Sequence, residues 1–241
     1  MNVRLYISVF LVFTLAAVGC GTAPGKPKPG LEREAIRPDR VTDFATLYSK
    51  NCAACHGDHG KHGAAISLAN PLYLAFAGAQ NLQHVITAGV PGTMMPGFAK
   101  SAGGMLTDQQ VTILTQGMIQ AWGDLAAFKS QSLPAYVSSK VPDAKHGQSA
   151  FGVYCGSCHG TDGAGVSGRR YPGSLADPAY LSLVSDQGLR TILIAGKPEE
   201  GMPDYRSYKG HALTDQEITD IVAWLASNRT ATPGQVYKQH P

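Results

Sequence analysis

Cys52 and Cys55 stand two residues apart in the stretch CAACHGDHG (52–60), with His56 and Gly57 directly behind them. A C-x-x-C pair serves three chemistries: a redox disulfide, half of a zinc site, or covalent attachment of haem. The stretch CGSCHGTDG (155–163) sets Cys155, Cys158 and His159 in the same order, 103 residues further on. The elements around the two motifs have to decide among the three.

Those elements repeat as well. Each motif is followed by a glycine-rich loop, after which the offset becomes 107 residues and stays there. NPLYLAFAGAQNLQHVITAG (70–89) lies over DPAYLSLVSDQGLRTILIAG (177–196) without a gap. MPGF from Met95 lies over MPDY from Met202, and LTDQQV from Leu106 over LTDQEI from Leu213. Two tandem copies of one domain account for most of the chain.

Each copy reads as helical, with long irregular connections. Phe44, Leu47 and Tyr48 share one helical face ahead of the first cysteine, and SAFGVY (149–154) is a shorter-looking counterpart. Thr214 and Glu217 form a capping box that opens a helix with Ile218, Ile221, Val222 and Leu225 inward. Thr107 and Gln110 start the equivalent helix of copy one, with Val111, Leu114 and Met118 inward. Gly89 and Gly196 fall where a helix ends in a left-handed residue. No stretch alternates as a strand does. The expected fold class is therefore all-α, two small tandem helical domains. At about 85 residues each, such domains bury little core alone, and a large apolar cofactor at the centre would complete it.

The domains are expected at 41–125 and 145–230, joined by a linker over 126–144 that is rich in serine and proline. Residues 1–19 carry Arg4 and then the apolar run LYISVFLVFTLAAV (5–18), the layout of a secretory signal. The run ends in AVGC (17–20), which resembles a bacterial lipobox, although Ala17 stands where that pattern prefers leucine. The resemblance implies that Cys20 is lipidated. Residues 20–40 are rich in proline and charge and read as an extended tether. Residues 231–241 form a tail. A formal net charge of +3 with no basic stripe argues against a nucleic-acid partner. After the N-terminus no apolar run of membrane-spanning length occurs.

The chain has five cysteines. A thioredoxin-like disulfide needs its C-x-x-C in a βαβ unit, and no such pattern exists here. A zinc site would have to combine cysteines from two domains that each hold a complete repeat. Haem attachment accounts for every motif residue, since two thiols add across the haem vinyl groups and the next histidine binds iron. On this reading Cys52 and Cys55 hold one haem c with His56 on its iron. Cys155, Cys158 and His159 do the same for a second. Cys20 is the cysteine left over, which suits a lipid anchor.

In these motifs the chain resembles the class I c-type cytochromes, in a two-domain arrangement like that of dihaem cytochromes c and the haem subunits of bacterial respiratory complexes. The resemblance covers 41–125 and 145–229. It rests on C-x-x-C-H-G, the glycine loop, a downstream Met-Pro and the capped last helix, in order and twice. It implies methionine as the sixth iron ligand, a soft thioether that favours ferrous iron and raises the potential. Met202 is the sole methionine of copy two, and the 107-residue register pairs it with Met95 rather than Met94. Met105 and Met118 read as structural. The family also fixes its ligand histidine through a proline carbonyl. Pro172 is placed for that in copy two, but Ala65 stands at the aligned place in copy one. His59, His62, His84, His146, His211 and His240 read as solvated side chains. Arg169 and Arg170 read as propionate partners or a plain surface pair.

The expected function is one-electron transfer by a lipid-anchored dihaem cytochrome c on the periplasmic side of a bacterial membrane. Its partners would be redox proteins or a membrane respiratory or photosynthetic complex. The alternatives are a dihaem enzyme, of peroxidase or thiosulfate dehydrogenase type, and a structural haem subunit. A peroxidase needs a releasable iron position and the sulfur-oxidising type a cysteine ligand, whereas here methionine is expected at both irons.

Overall fold

The computed structural model describes residues 36–168, 172–208 and 210–230. Cys20, the expected signal segment, most of the tether, the tail, Arg169, Arg170 and His240 lie outside the described residues. The chain divides into two units, 1–40 and 41–241. In the first, Pro38–Arg40 forms a single 3-10 turn. The second holds both copies of the repeat.

Copy one contains α1 (Phe44–Asn51), the one-turn α2 (Ala53–His56), α3 (Pro71–Ala88) and α4 (Asp108–Trp122). After a short α5 (Leu125–Phe128), copy two contains α6 (Ala144–Tyr154), the one-turn α7 (Gly156–His159), α8 (Pro178–Leu183), α9 (Asp186–Ala195) and α10 (Asp215–Ser227). Among the described residues there is no strand, only isolated bridges such as Lys197–Met202. The fold is all-α.

Both expected capping boxes form: Thr107 with Gln110, and Thr214 with Glu217. Each cap removes an orphan N–H at a helix start and contributes about 1 kcal/mol. The stripes behind them face inward, with Val111, Leu114, Met118, Ile218, Ile221, Val222 and Leu225 all buried. The first helix of each copy packs against the last, α1 on α4 and α6 on α10.

The two crossings use the same spaces with the side chains exchanged. In copy one Gly117 of α4 leaves room for the Phe44 ring, and a Cβ there would lie 2.2 Å from Phe44 Cδ2. Under the 103- and 107-residue offsets, Phe44 aligns with Gly147 and Gly117 with Trp224. In copy two it is Gly147 of α6 that permits the approach, a Cβ there falling 1.9 Å from Asp220 O. Trp122 packs edge-on to Tyr48 at 4.9 Å between ring centroids, and Trp224 packs on Phe151, the residue aligned with Tyr48, at 4.5 Å.

Four local features differ from the expectations of the sequence. First, α6 starts at Ala144 rather than near Ser149, because the Asp143 side chain accepts from Lys145 N and His146 N. A helix-breaking appearance at Gly147 hides a packing glycine. Second, α3 breaks at Gly78 (φ 68°, ψ 162°), where copy two has Ser185 capping α9. Third, Gly89 and Gly196 have positive φ but ψ of −168° and −173°, an extended glycine-only conformation rather than a left-handed helical cap. Fourth, the linker is strapped down. The buried Arg190 donates from Nε to Ala135 O and Tyr136 O at 3.1 Å each and from Nη2 to Ala135 O at 2.7 Å, and it pairs with Asp215. Gln187 Nε2 donates to Tyr136 O at 2.8 Å, and the Tyr136 ring lies against Phe76 of copy one.

Candidate cofactor site

Each C-x-x-C-H occupies one helical turn. His56 N bonds Cys52 O at 3.0 Å and His159 N bonds Cys155 O at 3.0 Å, so both cysteines and the histidine of each motif project from one side of the turn. The glycine that follows is obligatory. Gly57 sits at φ 78°, and a Cβ on it would lie 1.7 Å from Lys61 O; Gly160 sits at φ 73°, with Gly165 O at 2.5 Å.

His56 is buried, and its Nδ1 lies 2.8 Å from Ile66 O. A carbonyl only accepts, so Nδ1 carries the proton and Nε2 keeps a free lone pair for a metal. Ala65 does not leave His56 without an acceptor: the carbonyl one residue later supplies it. In copy two the expected Pro172 carbonyl does not do so, and His159 Nδ1 is buried without a partner among the described residues. The loop before Pro172 is four residues longer than in copy one. Burial lowers the pKa of both imidazoles, with the Ile66 carbonyl opposing it for His56. Neutral imidazole is the ligating form.

The thiols are equally informative. Burial, with Cys55 adding to it, pushes Cys52 up to about 11; burial, with Cys158 adding, pushes Cys155 up to about 12. A redox-active cysteine is one whose thiolate is stabilised, the opposite of this environment. Among the described residues no group of three or more His, Cys, Asp or Glu is gathered to hold a metal ion, so the two motifs do not converge on a shared zinc.

The methionine loops repeat in detail. Val90 N bonds Met95 O at 2.9 Å, and Lys197 N bonds Met202 O at 3.0 Å, the same pair under the 107-residue register. Gly89 and Gly196 let the Met-Pro segment cross close to the helix end, since a Cβ on either would fall within 2.7 Å of that backbone. Met95 and Met202 are half-buried, whereas Met94 is 81% exposed. Met118 is buried in α4, but Met105 is 80% exposed and does no packing.

Cys52, Cys55, His56, Met95, Cys155, Cys158, His159 and Met202 all line one continuous cavity of about 1060 Å³. Its walls are largely apolar, with Leu82, Ile86, Phe98, Leu189 and Leu193 among them. A single small-ligand site holds roughly 300–1,000 Å³, so this cavity is large even for one such group. Cysteine thiols, one imidazole lone pair and one thioether per copy, around an apolar space, fit a haem in each copy.

Several residues of the site carry no signal in the sequence. Tyr48 Oη donates to Gly57 O at 3.0 Å and steadies the turn after His56. Tyr208 Oη donates to Pro203 O at 3.2 Å, just behind Met202. Tyr73 and Tyr136 stand in the cavity wall. Nothing in the spacing of these tyrosines announces them. His146 and His211 are not simply solvated: His146 Nδ1 bonds Asp220 at 2.7 Å, and His211 stacks on Tyr154 and bonds Glu217 at 3.2 Å.

An all-helical chain in which a C-x-x-C-H turn and a Met-Pro loop face an apolar cavity, twice, is a c-type cytochrome with two tandem cytochrome c domains. The chain belongs to the family described as cytochrome c oxidase, cbb3-type, subunit III, whose model matches residues 39–116 and again 142–225. Covalently bound haem c and electron transfer are what the family implies. The chain is also similar to a solved structure titled as a reducing HAO-like protein complex of Kuenenia stuttgartiensis, at 16% identity and a TM-score of 0.45, over 79% of this chain and 99% of that one. No curated protein matches it.

Proposed function

We propose that the chain carries single electrons between extracytoplasmic redox partners through two covalently attached haems. Cys52 and Cys55 would hold the first, with His56 and Met95 as its iron ligands; Cys155 and Cys158 would hold the second, with His159 and Met202. The observation that carries this reading is the common cavity, into which both complete ligand sets open. Haem c supplies the one-electron chemistry. The protein supplies a largely apolar wall, fixes the tautomer of His56 through the Ile66 carbonyl and keeps each methionine on a glycine-hinged loop. Both copies would then present their haems to one shared cavity. We further propose lipid attachment at Cys20, which would place the carrier on the periplasmic face of a membrane, beside a respiratory or photosynthetic complex.

Met95 and Met202 would occupy the iron position that a small ligand needs. Ferrous protein should bind carbon monoxide slowly or not at all near neutral pH, with negligible turnover of peroxide or thiosulfate. Met202→Ala should admit carbon monoxide at the second haem and lower its potential. Rapid stoichiometric carbon monoxide binding by the unmodified protein would favour the dihaem enzyme instead. For the anchor, Cys20→Ser should release the protein from membranes with its haem content unchanged; retention after a salt wash would assign the anchoring to a protein partner.

A further inference from the structure

Asn70 is buried and uses both ends of its amide. Its Oδ1 accepts from Leu72 N at 3.0 Å and Tyr73 N at 3.2 Å, capping α3. Its Nδ2 donates to Ala195 O at 2.9 Å, 125 residues away in the other copy. The orientation of the amide is unambiguous, because two N–H groups face one end and a carbonyl the other.

The cap alone does not require a donor. At the equivalent position under the 107-residue register stands Asp177, which caps α8 through Tyr180 N at 2.9 Å with a side chain that only accepts. The extra group in copy one is the NH2, and its one use is the bond to Ala195.

Ala195 is the last residue of α9, and its carbonyl is among those that a helix end leaves unpaired. Directly after it come Gly196, the Lys197–Met202 backbone pair at 3.0 and 3.1 Å, and Tyr205 N, which returns to Ile194 O at 3.1 Å. The Met202 loop is therefore suspended from the end of α9. On the other side, Asn70 follows Ala69, whose N–H bonds Gly60 O at 3.1 Å in the loop behind His56.

We propose that Asn70 is a positioning residue that ties the histidine loop of the first haem site to the methionine loop of the second. It fixes the α9 end from which Met202 is presented, so copy one sets the geometry of the iron–sulfur bond in copy two. The inference rests on Met202 being an iron ligand.

Asn70→Asp and Asn70→Ser both retain a capping oxygen and remove the donor that faces Ala195. Each is to be made in the intact chain and again with Met95→Leu, where the sulfur-to-iron absorption band reports Met202 alone. Amide hydrogen exchange across 196–202 should accelerate about fivefold, the factor for one net hydrogen bond. The Met202 band should weaken in both variants, while exchange at Leu72 and Tyr73 stays near the parent rate. Faster exchange confined to Leu72 and Tyr73, with 196–202 and the band unchanged, would reduce Asn70 to a cap and overturn the proposal. A Met95→Leu parent with no band at all would instead remove the Met202 assignment, and the inference with it.

Discussion

At the scale of single residues, the two methionines of copy one separate clearly. Met95 shares with Met202 its following proline and its backbone bond across the loop, and Met94 is turned out to solvent. Under the proposed ligation Met95→Leu should remove about half of the sulfur-to-iron band, one of two thioethers, whereas Met94→Leu should leave it intact. The reverse result would place the loop one residue out of register. Gly196→Ala tests the hinge. Its positive φ costs a side chain about 1–3 kcal/mol, and the added Cβ would sit 2.6 Å from the Pro203 carbonyl group, so the loop has to move as well. Thermal denaturation should show the lost stability, and the band at the second haem should weaken with it. The C-x-x-C-H turns and the Met-Pro loops were legible because local spacing specifies a single helical turn and a single loop. The acceptor for His56 was not: a shift of one residue, from Ala65 to Ile66, follows from loop conformation that spacing does not record.

At the scale of elements, α6 and α10 are joined by a charged pair as well as by packing. The hydrogen bond to Asp220 raises the pKa of His146 above its ordinary value, and the Asp143 and Glu217 charges add to it. Burial would raise Asp220, but donors from Asp143 N, His146 and Gln216 outweigh it and hold the carboxyl low. A raised histidine stabilises fully below about pH 6.5 and loses that contribution as pH rises through its folded pKa. A lowered aspartate stabilises above about pH 4 and fails as pH falls through its folded pKa. His146→Ala should therefore melt below the parent at pH 6, with the gap narrowing by pH 9; a gap independent of pH would mean that the pair carries no charge interaction. The linker strap makes a second test. Arg190→Met orphans the Ala135 carbonyl, leaves Tyr136 O with Gln187 as its remaining donor and uncouples Asp215, and should cost about 2–4 kcal/mol in chemical denaturation. Helix starts were legible from Thr107 and Thr214 because a cap is a local signal. The strap was not, since Arg190 meets carbonyls more than fifty residues away in the chain.

At the scale of the whole molecule, the repeat is two copies of a plan with different solutions inside. Phe44 over Gly117 in one copy, and Gly147 under α10 in the other, give the same helix crossing from opposite partners. The 107-residue register was visible in the sequence, but this exchange was not, because a glycine and a tryptophan at aligned positions look like divergence until the partner helix is seen. The common cavity was equally hidden, as it depends on how two separately recognisable copies pack. That cavity is the basis for the proposal of one two-centre carrier rather than two carriers on a string. Its content is the most direct test. The ratio of covalently bound haem to polypeptide in the purified protein should be two, falling to one when Cys155 and Cys158 are both replaced by alanine. A ratio of one in the unmodified protein, or stoichiometric zinc in place of haem, would contradict the account.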